Sequence, residues 1–466
     1  MSWQIKSLDE VCTKITDGAH QSPKSVDHGK PMASVKDLTR FGVDLSAARR
    51  ISLEDFERLV KQGCQPLVGD VLIAKDGNSA LETVCNIKQP LNAVLLSSVA
   101  ILRPNLNILD SDFLKYYLSS KEVIEYFKSN FISGAAIPRV VLRDFRKAQI
   151  RLPELKIQRK ISKILSDLDE KIHLNNQINQ TLESIAQAIF KSWFIDFEPV
   201  RAKIAAKQEG NDPELAAMCA ISGKSEAELE QMAKEDFAEL QATAALFPDE
   251  LVESELGDVP KGWEVEKLSQ NIDVLNGYAF KSKAYIKEGI FVLRTKNFNN
   301  GLVEGLTDDV YLPKIFLEEY PNYICEPYDY HMVMVGASIG DTGLIFPSML
   351  PALRNQNMWC FRAKNSSDFG KSYTKLLLDS LIYETLGFAS GSAREFFRKG
   401  DFQDKRVCVP SKKLLRRFEK IGFSCMQKQS IIFAENYYLK KIRDTLLPKL
   451  LSGEIDVSSI QETIDD

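Results

Sequence analysis

The sequence predicts an α+β protein in which two repeated α/β domains are joined by two long antiparallel helices. Heptad patterns over residues 154–197 and about 412–451 predict the two helices. Short matches at a nearly constant offset predict the repeat, because internal self-similarity is the signature of duplicated units. We therefore expect a pseudo-twofold molecule with one domain at each end of a helical rod.

The first heptad pattern lies between Pro153 and Pro199, which isolate it from the flanking sequence. Asn175 and Asn179 interrupt its apolar seam, and buried asparagines at such positions fix the register of a coiled coil. A helix of this length spans about 60 Å, which is more than one compact domain needs. The alternative is a core helix of a helical domain. The seam residues are Ile161, Leu165, Leu168, Ile172, Leu182, Ala186, Ile189 and Trp193.

The second heptad pattern offers a partner for the first, because an apolar stripe is buried only against another surface. Two helices separated in sequence by a whole domain pack most simply antiparallel. The second seam consists of Phe418, Cys425, Ile432, Leu439, Leu446 and Leu450. The predicted divisions are a first domain (1–153), the first long helix (154–197), a connector (198–260), a second domain (261–410) and the second long helix with a tail (411–466).

The repeat begins with Trp3-Gln-Ile-Lys-Ser-Leu8, which matches Trp263-Glu-Val-Glu-Lys-Leu268 at an offset of 260. Cys64-Gln-Pro66 matches Cys325-Glu-Pro327 at an offset of 261. Several ordered matches of this kind favour duplication over a coincidence of glycine and proline positions.

Two strands and one helix are predicted clearly in the first domain. Val71–Ala74 and Val94–Leu102 have the apolar, β-branched composition of strands. Ser111–Phe127 is predicted to form one helix, with Ser111 or Asp112 as its N-terminal cap.

Length and composition indicate an ordinary globular protein of two or three domains. No apolar run of about 18 residues predicts a membrane span, and residues 1–9 lack the pattern of a signal peptide. The eight cysteines include no Cys-x-x-Cys pair, and the four histidines have no ligand spacing. We expect a cytoplasmic protein with reduced thiols and no metal site.

The net charge of −4 is unevenly distributed along the chain. Residues 198–260 hold 15 acidic and 5 basic residues, so this connector alone carries −10. The rest of the chain is therefore basic by about 6 charges. A basic face suited to nucleic acid is compatible with this distribution.

Motifs of catalysis are missing from the sequence. It contains no Asn-Pro-Pro-aromatic or Asp-Pro-Pro-Tyr run of the kind found in amino-methyltransferases. It also contains no His-Glu-x-x-His, Gly-x-Ser-x-Gly or EF-hand pattern. We expect no catalytic residue and no cofactor in this chain.

Basic and amide side chains, in contrast, occur in loop-like stretches of both domains. Arginine and lysine pair with phosphates and guanine, and asparagine and glutamine suit adenine edges. Solvated surface charge is the alternative for each of them. The candidates for DNA contact are Lys36, Arg40, Lys75, Asn78, Arg139, Arg143, Arg146, Lys147, Arg294, Lys296, Asn297, Arg354, Asn355, Gln356, Arg394, Arg398 and Lys399.

In their order along the chain, these features resemble the DNA-specificity (S) subunit of Type I restriction-modification enzymes. The resemblance covers nearly the whole chain. It is carried by the two openings at Trp3 and Trp263, Ile15-Thr-Asp-Gly-Ala-His20, Val71-Leu-Ile-Ala-Lys-Asp-Gly77, Leu152-Pro-Glu-Leu-Lys-Ile-Gln-Arg159, Pro260-Lys-Gly-Trp263 and Leu446-Leu-Pro-Lys-Leu-Leu-Ser-Gly-Glu-Ile455.

The resemblance implies that each domain is a target recognition domain reading one half of a bipartite DNA sequence. It implies that the antiparallel coiled coil sets the spacing of the half-sites. The implied partners are double-stranded DNA, two methyltransferase (M) subunits that use S-adenosylmethionine to methylate adenine, and restriction (R) subunits that use ATP and Mg²⁺. The S subunit itself is not catalytic, and its helices and connector would be the docking surface for M subunits.

This sequence departs from the family pattern in the second domain. Ala337-Ser-Ile-Gly340 stands where the first domain has Lys75-Asp76-Gly77. Two alternatives remain at this point. One is a coiled-coil adaptor whose two domains bind protein or glycan ligands, and the other is a self-contained modification enzyme.

Overall fold

The computed structural model describes residues 3–77, 80–131, 139–336, 338–388 and 398–459. The fold combines sheets with two helices far longer than the others, which confirms the predicted α+β class. The chain divides into two compact units, residues 1–176 with 435–466, and residues 177–434. Each long helix therefore contributes one half to each unit.

The first unit is built on an antiparallel sheet whose strand Val71–Ala74 is buried along its whole length. The neighbours in this sheet run in the order Cys12–Asp17, Val99–Pro104, Val71–Ala74 and Val84–Asn86. A second sheet runs in the order Arg49–Ile51, Lys30–Ala33 and Val94–Leu95. Two strand pairs complete the unit, Gln4–Ser7 with Gln149–Leu152 and Leu38–Thr39 with Gly42–Val43.

The helices of the first unit pack one face of the main sheet against the long helices. Phe113 and Tyr116 share one apolar core with Val71 of the sheet and Ile161 of the first long helix. The short helices are Leu8–Val11, Leu53–Lys61, Ser111–Leu118, Lys121–Phe131 and Leu142–Lys147, with a 3₁₀ turn at Val35–Asp37.

The predicted helix Ser111–Phe127 is wrong in its extent, because two serines divide it. The hydroxyls of Ser119 and Ser120 donate to carbonyls of the preceding turn. Serine side chains that bond the backbone in this way compete with helix continuation. One helix ends at Leu118 and the next begins at Lys121.

The second unit repeats this strand arrangement element by element. Its main sheet has the order Ile272–Asn276, Met358–Ala363, Tyr330–Val333, Thr342–Leu344, Gly301–Val303 and Phe298–Asn299. A second sheet has the order Tyr311–Leu312, Ile290–Leu293 and Ala352–Arg354. Glu264–Lys267 pairs with Arg406–Val409, as the opening strand of the first unit pairs with Gln149–Leu152.

One difference separates the two sheet systems. In the first unit the hairpin Leu38–Thr39 and Gly42–Val43 forms a sheet of its own. In the second unit the equivalent hairpin joins the main sheet through parallel pairing of Gly301 with Gly343. The short helices of this domain are Leu268–Asn271, Phe316–Glu319, Lys371–Phe388 and Lys399–Gln403, with 3₁₀ turns at Ser282–Ala284, Thr295–Asn297, Pro321–Tyr323 and Pro347–Met349.

The acidic connector folds into a helical cluster within the second unit. Its helices are Glu198–Glu209, Pro213–Ser222, Glu226–Glu230 and Lys234–Ala244, followed by the hairpin Leu251–Ser254 and Gly257–Pro260. Ala217, Met218 and Leu229 form a small apolar core between these helices. Proline at the first position of the helix Pro213–Ser222 and glycine just beyond its end are favoured at those positions.

The long helices extend over Leu155–Phe194 and Lys412–Ser452, close to the predicted bounds. Seven positions of the predicted seams are buried, namely Ile161, Leu165, Ile172, Ala186, Trp193, Phe418 and Leu450. The other seven are half-buried, namely Leu168, Leu182, Ile189, Cys425, Ile432, Leu439 and Leu446. None of these fourteen seam side chains is fully exposed.

In each unit the two helix segments run antiparallel. In the first unit Arg443 Nη1 lies 2.9 Å from Asp169 Oδ1, and further along the first helix Asn175 Nδ2 donates to Asn436 Oδ1 at 2.9 Å. In the second unit Gln429 donates to Glu183, and the rings of Phe190 and Phe418 are 5.8 Å apart. Rising numbers on one helix thus meet falling numbers on the other.

Asparagines form a polar layer between the helix segments of the first unit. The amide of Asn175 is 1% exposed and donates to Asn436 and, at 2.8 Å, to Glu435. Asn436 in turn donates to Asn176 at 2.9 Å. Because a shifted register would leave these buried amides without partners, the layer specifies the alignment of the two helices.

Asp169 of the first long helix is the polar centre of the first unit. Its carboxylate accepts hydrogen bonds from Arg40, Tyr116 and Arg443 at 2.9–3.1 Å, and the ammonium of Lys115 is 3.5 Å away. Burial raises the pKa of Asp169, but the surrounding cations outweigh it, so the net pKa lies below the ordinary value. The ionised carboxylate therefore stabilises the fold at neutral pH.

The second unit has an equivalent buried ion pair, but its carboxylate comes from a different position of the first long helix. Lys375 occupies the position of Lys115 in its own helix and pairs with Glu183 of the first long helix. Burial raises the pKa of Glu183, and Lys375 more than offsets this, so the net pKa is lowered. In both units a buried lysine of the globular domain thus meets a carboxylate of the first long helix.

The equivalent helices Ser111–Leu118 and Lys371–Phe388 are capped at their N-termini from different elements. The capping residue belongs to the domain in the first unit and to the second long helix in the second unit. In the first unit Asp110 accepts from the backbone amide of Phe113 and from the hydroxyl of Ser162. This corrects the prediction that Ser111 or Asp112 is the cap. In the second unit the equivalent of Asp110 is Gly370, and the carboxylate of Glu419 accepts the amides of Ser372 and Tyr373 instead.

The exchanged caps predict a rescue between two substitutions. Glu419→Ala removes the cap of helix Lys371–Phe388 and should cost about 1 kcal/mol. Gly370→Asp alone should also destabilise, because a Cβ at Gly370 would lie 2.0 Å from the carboxyl carbon of Glu419. The double variant should recover stability, because the introduced aspartate then caps the helix as Asp110 does in the first unit. If the double variant loses as much stability as the two single variants together, as measured by the unfolding midpoints, this account is contradicted.

The anchor at Asp169 predicts a large loss of stability for Asp169→Asn. The change removes the charge that faces three buried or half-buried cations, and breaking such a cluster costs about 3–5 kcal/mol. Asp167→Asn is the matched control, because its exposed pair with Lys163 should contribute less than about 1 kcal/mol. Denaturant unfolding with hydrogen exchange over residues 111–118 measures both.

The same carboxylate gives the first unit a defined acid sensitivity. Its stabilising contribution is fully present above the ordinary aspartate pKa and is lost as pH falls through the lowered folded-state value. In Asp169→Asn this part of the acid dependence should disappear. An unchanged pH profile would show that Asp169 is not the titrating group.

Candidate nucleic-acid interface

A network of charges lies where two central strands of the first unit end. Asp17 closes the strand Cys12–Asp17, and Lys75 and Asp76 follow the strand Val71–Ala74. The ammonium of Lys75 lies 3.4 Å from Asp17 and 3.0 Å from Asp76. Lys75 is 1% exposed, so this predicted DNA contact does not reach the surface and instead holds two carboxylates in place.

Two exposed donors lie at the ends of this network. His20 Nε2 is 3.0 Å from Asp17, and Arg139 Nε is 3.1 Å from Asp76. The side chains of His20 and Arg139 are 68% and 56% exposed. The loop after Asp17 is pinned at Gly18, where a Cβ would lie 2.2 Å from the carbonyl oxygen of Leu95. The network therefore holds two exposed side chains, the His20 ring and the Arg139 guanidinium, at the surface.

The other basic candidates of the first unit divide into free and engaged side chains. Arg146 donates to the carbonyl of Ile15 at 2.7 Å, and Arg40 is held by Asp169. Arg143 is exposed with a loose contact of 3.8 Å to Asp144. Lys36 and Lys147 are exposed. Asn78 lies outside the described residues.

Three basic candidates of the second unit are tied to their own domain. Arg354 is 1% exposed and donates to the carbonyls of Asn276, Ile324 and Asn322, so it stabilises loops and does not face solvent. Arg294 pairs with Asp309 at 3.4 Å, and Lys296 pairs with Asp308.

Three amides and three basic residues form the remainder of the set predicted in the second unit. Asn297 is buried and bonds Asp309 and the carbonyl of Glu304, so it is structural. Asn355 is half-buried and Gln356 is exposed. Arg398 is exposed and Lys399 half-buried, and Arg394 lies outside the described residues.

The structure corrects the alignment of the two units at the charged network. Lys75 N donates to Ser98 O at 2.9 Å, and Met334 N donates to Asn357 O at 3.1 Å, both at an offset of 259. The counterpart of Lys75-Asp76-Gly77 is therefore Met334-Val335-Gly336, and the prediction that Ala337–Gly340 stands there was wrong. The matching backbone bonds show a shared fold with different side-chain chemistry.

Sequence reasoning missed a second pair of equivalent residues. The guanidinium of Arg103 donates two bonds to Asp70 at 2.7 and 2.8 Å, and Arg362 donates two bonds to Asp329 at 2.8 and 2.6 Å. Both carboxylates are completely buried. Each aspartate also accepts the amide three residues earlier. The sequence signal that could have found this pair is an aspartate directly before a buried strand in each unit, at the same offset of 259.

One group in the described part of the chain has metal-ligand chemistry, namely Asp329, His331 and Cys360. Arg362 occupies both oxygens of Asp329. Burial lowers the pKa of His331 to about 4, so its ring is neutral, and burial raises the pKa of the Cys360 thiol. The group is therefore a buried polar network of the second unit rather than a cation site.

Comparison with known proteins places the chain in a family. The sequence profile described as the Type I restriction modification DNA specificity domain matches residues 1–184. The HindI specificity subunit of Haemophilus influenzae is 32% identical over 405 residues, which cover 83% of this chain and 86% of that protein. The MjaIX specificity subunit of Methanocaldococcus jannaschii is 24% identical over 75% of this chain and 70% of that protein.

A solved structure agrees with this assignment at the level of fold. The S subunit of a Type I restriction-modification system from M. genitalium covers 96% of each chain, with a TM-score of 0.51 and 16% identity. No described helix is long and apolar enough to cross a membrane. The adaptor alternative finds no support among these relatives. The chain belongs to the specificity subunits of Type I restriction enzymes, which are DNA-recognition subunits.

Proposed function

We propose that this chain reads a bipartite DNA target and performs no chemistry itself. The observation that carries the proposal is the duplicated domain whose two copies share their buried ion pairs but differ in the polar groups at the strand ends. Asp70–Arg103 and Asp329–Arg362 are equivalent, whereas Lys75 and Asp76 are replaced by Met334 and Val335. Copies that keep one fold and change their surface are suited to two different half-sites.

The proposal assigns chemistry to partner subunits. Two M subunits would bind S-adenosylmethionine and methylate adenine, and R subunits would use ATP and Mg²⁺. This chain would need no cofactor, in keeping with the lack of any catalytic motif in its sequence. The basic side chains of each unit would contact phosphates, which makes binding weaker at high salt.

Exposed apolar side chains on the long helices support docking of the M subunits there. In the first unit Tyr438 and Ile442 are 62% and 47% exposed and lie one turn apart on the second long helix. In the second unit Ile431 and Ile185 are 69% and 43% exposed. Large apolar groups on a solvent-facing helix surface are typical of a protein interface.

The function is tested by mapping adenine methylation across a genome. One host expresses this chain with the M subunit, and a second host expresses the M subunit alone. A single bipartite motif should be methylated only in the first host, because recognition resides in this chain. With the chain bound to M, an absence of any motif would contradict the proposal.

The docking surface is tested by Tyr438→Glu. A charge at this exposed apolar position should lower the affinity for M at least about tenfold, because its burial would leave the charge unpaired. Lys440→Glu places the same side chain on a different face of the same helix, with a larger change in net charge, and serves as the control. Affinities measured by titration should change only for Tyr438→Glu. Equal losses would place M elsewhere.

A further inference from the structure

The charged network of the first unit has a buried middle and exposed ends. Lys75 has a side-chain exposure of 2%, between Asp17 at 7% and Asp76 at 24%. Taking these charges out of water is costly, because desolvation offsets much of the attraction between them. The network therefore requires an explanation beyond the stability of the domain.

The second unit shows that the fold does not need this network. Asn276 takes the place of Asp17 in the equivalent strand, since Asp17 pairs with Ala100 and Asn276 with Trp359, both at an offset of 259. Met334 and Val335 take the places of Lys75 and Asp76, and Met334 packs against the apolar core. An uncharged site thus satisfies the same backbone. The fold of the first unit therefore does not require these charges.

The geometry of Arg139 indicates what the network positions. Its Nε lies 3.1 Å from Asp76 Oδ1 in an ion pair, and no described residue accepts a hydrogen bond from the guanidinium. The edge formed by its two terminal nitrogens carries two donors, which match the O6 and N7 acceptors of guanine in the major groove. A carboxylate that holds the arginine in place reduces the conformational entropy lost on binding.

The other arginines of this surface lack such an arrangement. Arg146 uses one terminal nitrogen on the carbonyl of Ile15, and the other lies 3.7 Å from Asp9. Arg143 is 77% exposed, and its Nε is 3.8 Å from Asp144. Arg146 is thus engaged, and Arg143 has only a loose ion pair to orient it, which suits contact with phosphate.

We infer that Arg139 reads a guanine in the half-site of the first unit, with Asp76 and Lys75 as positioning residues. This inference rests on the proposed function and deepens it. It assigns one base-specific contact to a named side chain and explains why the two units read different sequences. His20, held by Asp17, is the second exposed side chain that the same network presents.

The test uses the complete chain in complex with its M subunits. Methyl transfer is measured on a panel of DNA duplexes that carry each single base-pair change of the mapped target. In Arg139→Ala, discrimination at one G·C pair of one half-site should fall at least about tenfold, while the other half-site is read as before. Arg139→Lys should also lose discrimination, because it keeps the charge but not the paired donors.

Two further variants separate positioning from general effects. Arg143→Ala is the matched control, and it should weaken all duplexes equally without changing the motif. The triple variant Asp17→Asn, Lys75→Met, Asp76→Val installs the residues of the second unit, which fold there. It should lose discrimination at the same base pair as Arg139→Ala, although Arg139 is still present.

The outcomes distinguish the inference from the function on which it rests. A wild-type complex without a bipartite motif would refute the proposed function. A wild-type motif that Arg139→Ala leaves fully discriminated would overturn the inference alone. If Arg139→Ala abolishes methylation, competition binding decides: equal weakening on all duplexes means a phosphate contact and overturns the inference, and loss of preference at one base pair supports it.

Discussion

A buried lysine that meets a carboxylate of the first long helix fastens each globular domain to the helices. In the first unit this pair is Lys115 with Asp169, and in the second it is Lys375 with Glu183. A buried charge without its partner is strongly unfavourable, so this ion pair favours one position of each domain on its helix segments. The orientation of the exposed groups relative to these helix segments depends on that position.

The two units show how a duplicated fold separates stability from recognition. The buried arginine–aspartate pairs at Asp70 and Asp329 are retained, because their loss would leave a carboxylate unsatisfied inside the sheet. The groups at the strand ends differ, because the same backbone accommodates either an ion-paired Lys75 or an apolar Met334. The cap of the equivalent helices has even moved from Asp110 to Glu419 while the helix start was preserved.

This division of roles agrees with a DNA-recognition subunit. Recognition requires exposed donors held at fixed positions, and the network from Asp17 to Asp76 supplies them in the first unit. Several arginines that pattern alone nominated, such as Arg354 and Arg40, instead stabilise loops or the helix anchor. A basic residue can therefore be predicted to contact DNA only when its partners within the protein are known.

The sequence by itself determined the α+β class, the two long helices and the duplication, because heptad periodicity and ordered matches are local patterns that survive without coordinates. It also predicted the strand Val71–Ala74 to the residue. Only the tertiary structure decided which charges are buried, that Asp110 rather than Ser111 is the cap, and that Met334 stands opposite Lys75. Those facts depend on contacts between residues distant in sequence, and an arginine is the same letter whether it faces an aspartate or solvent.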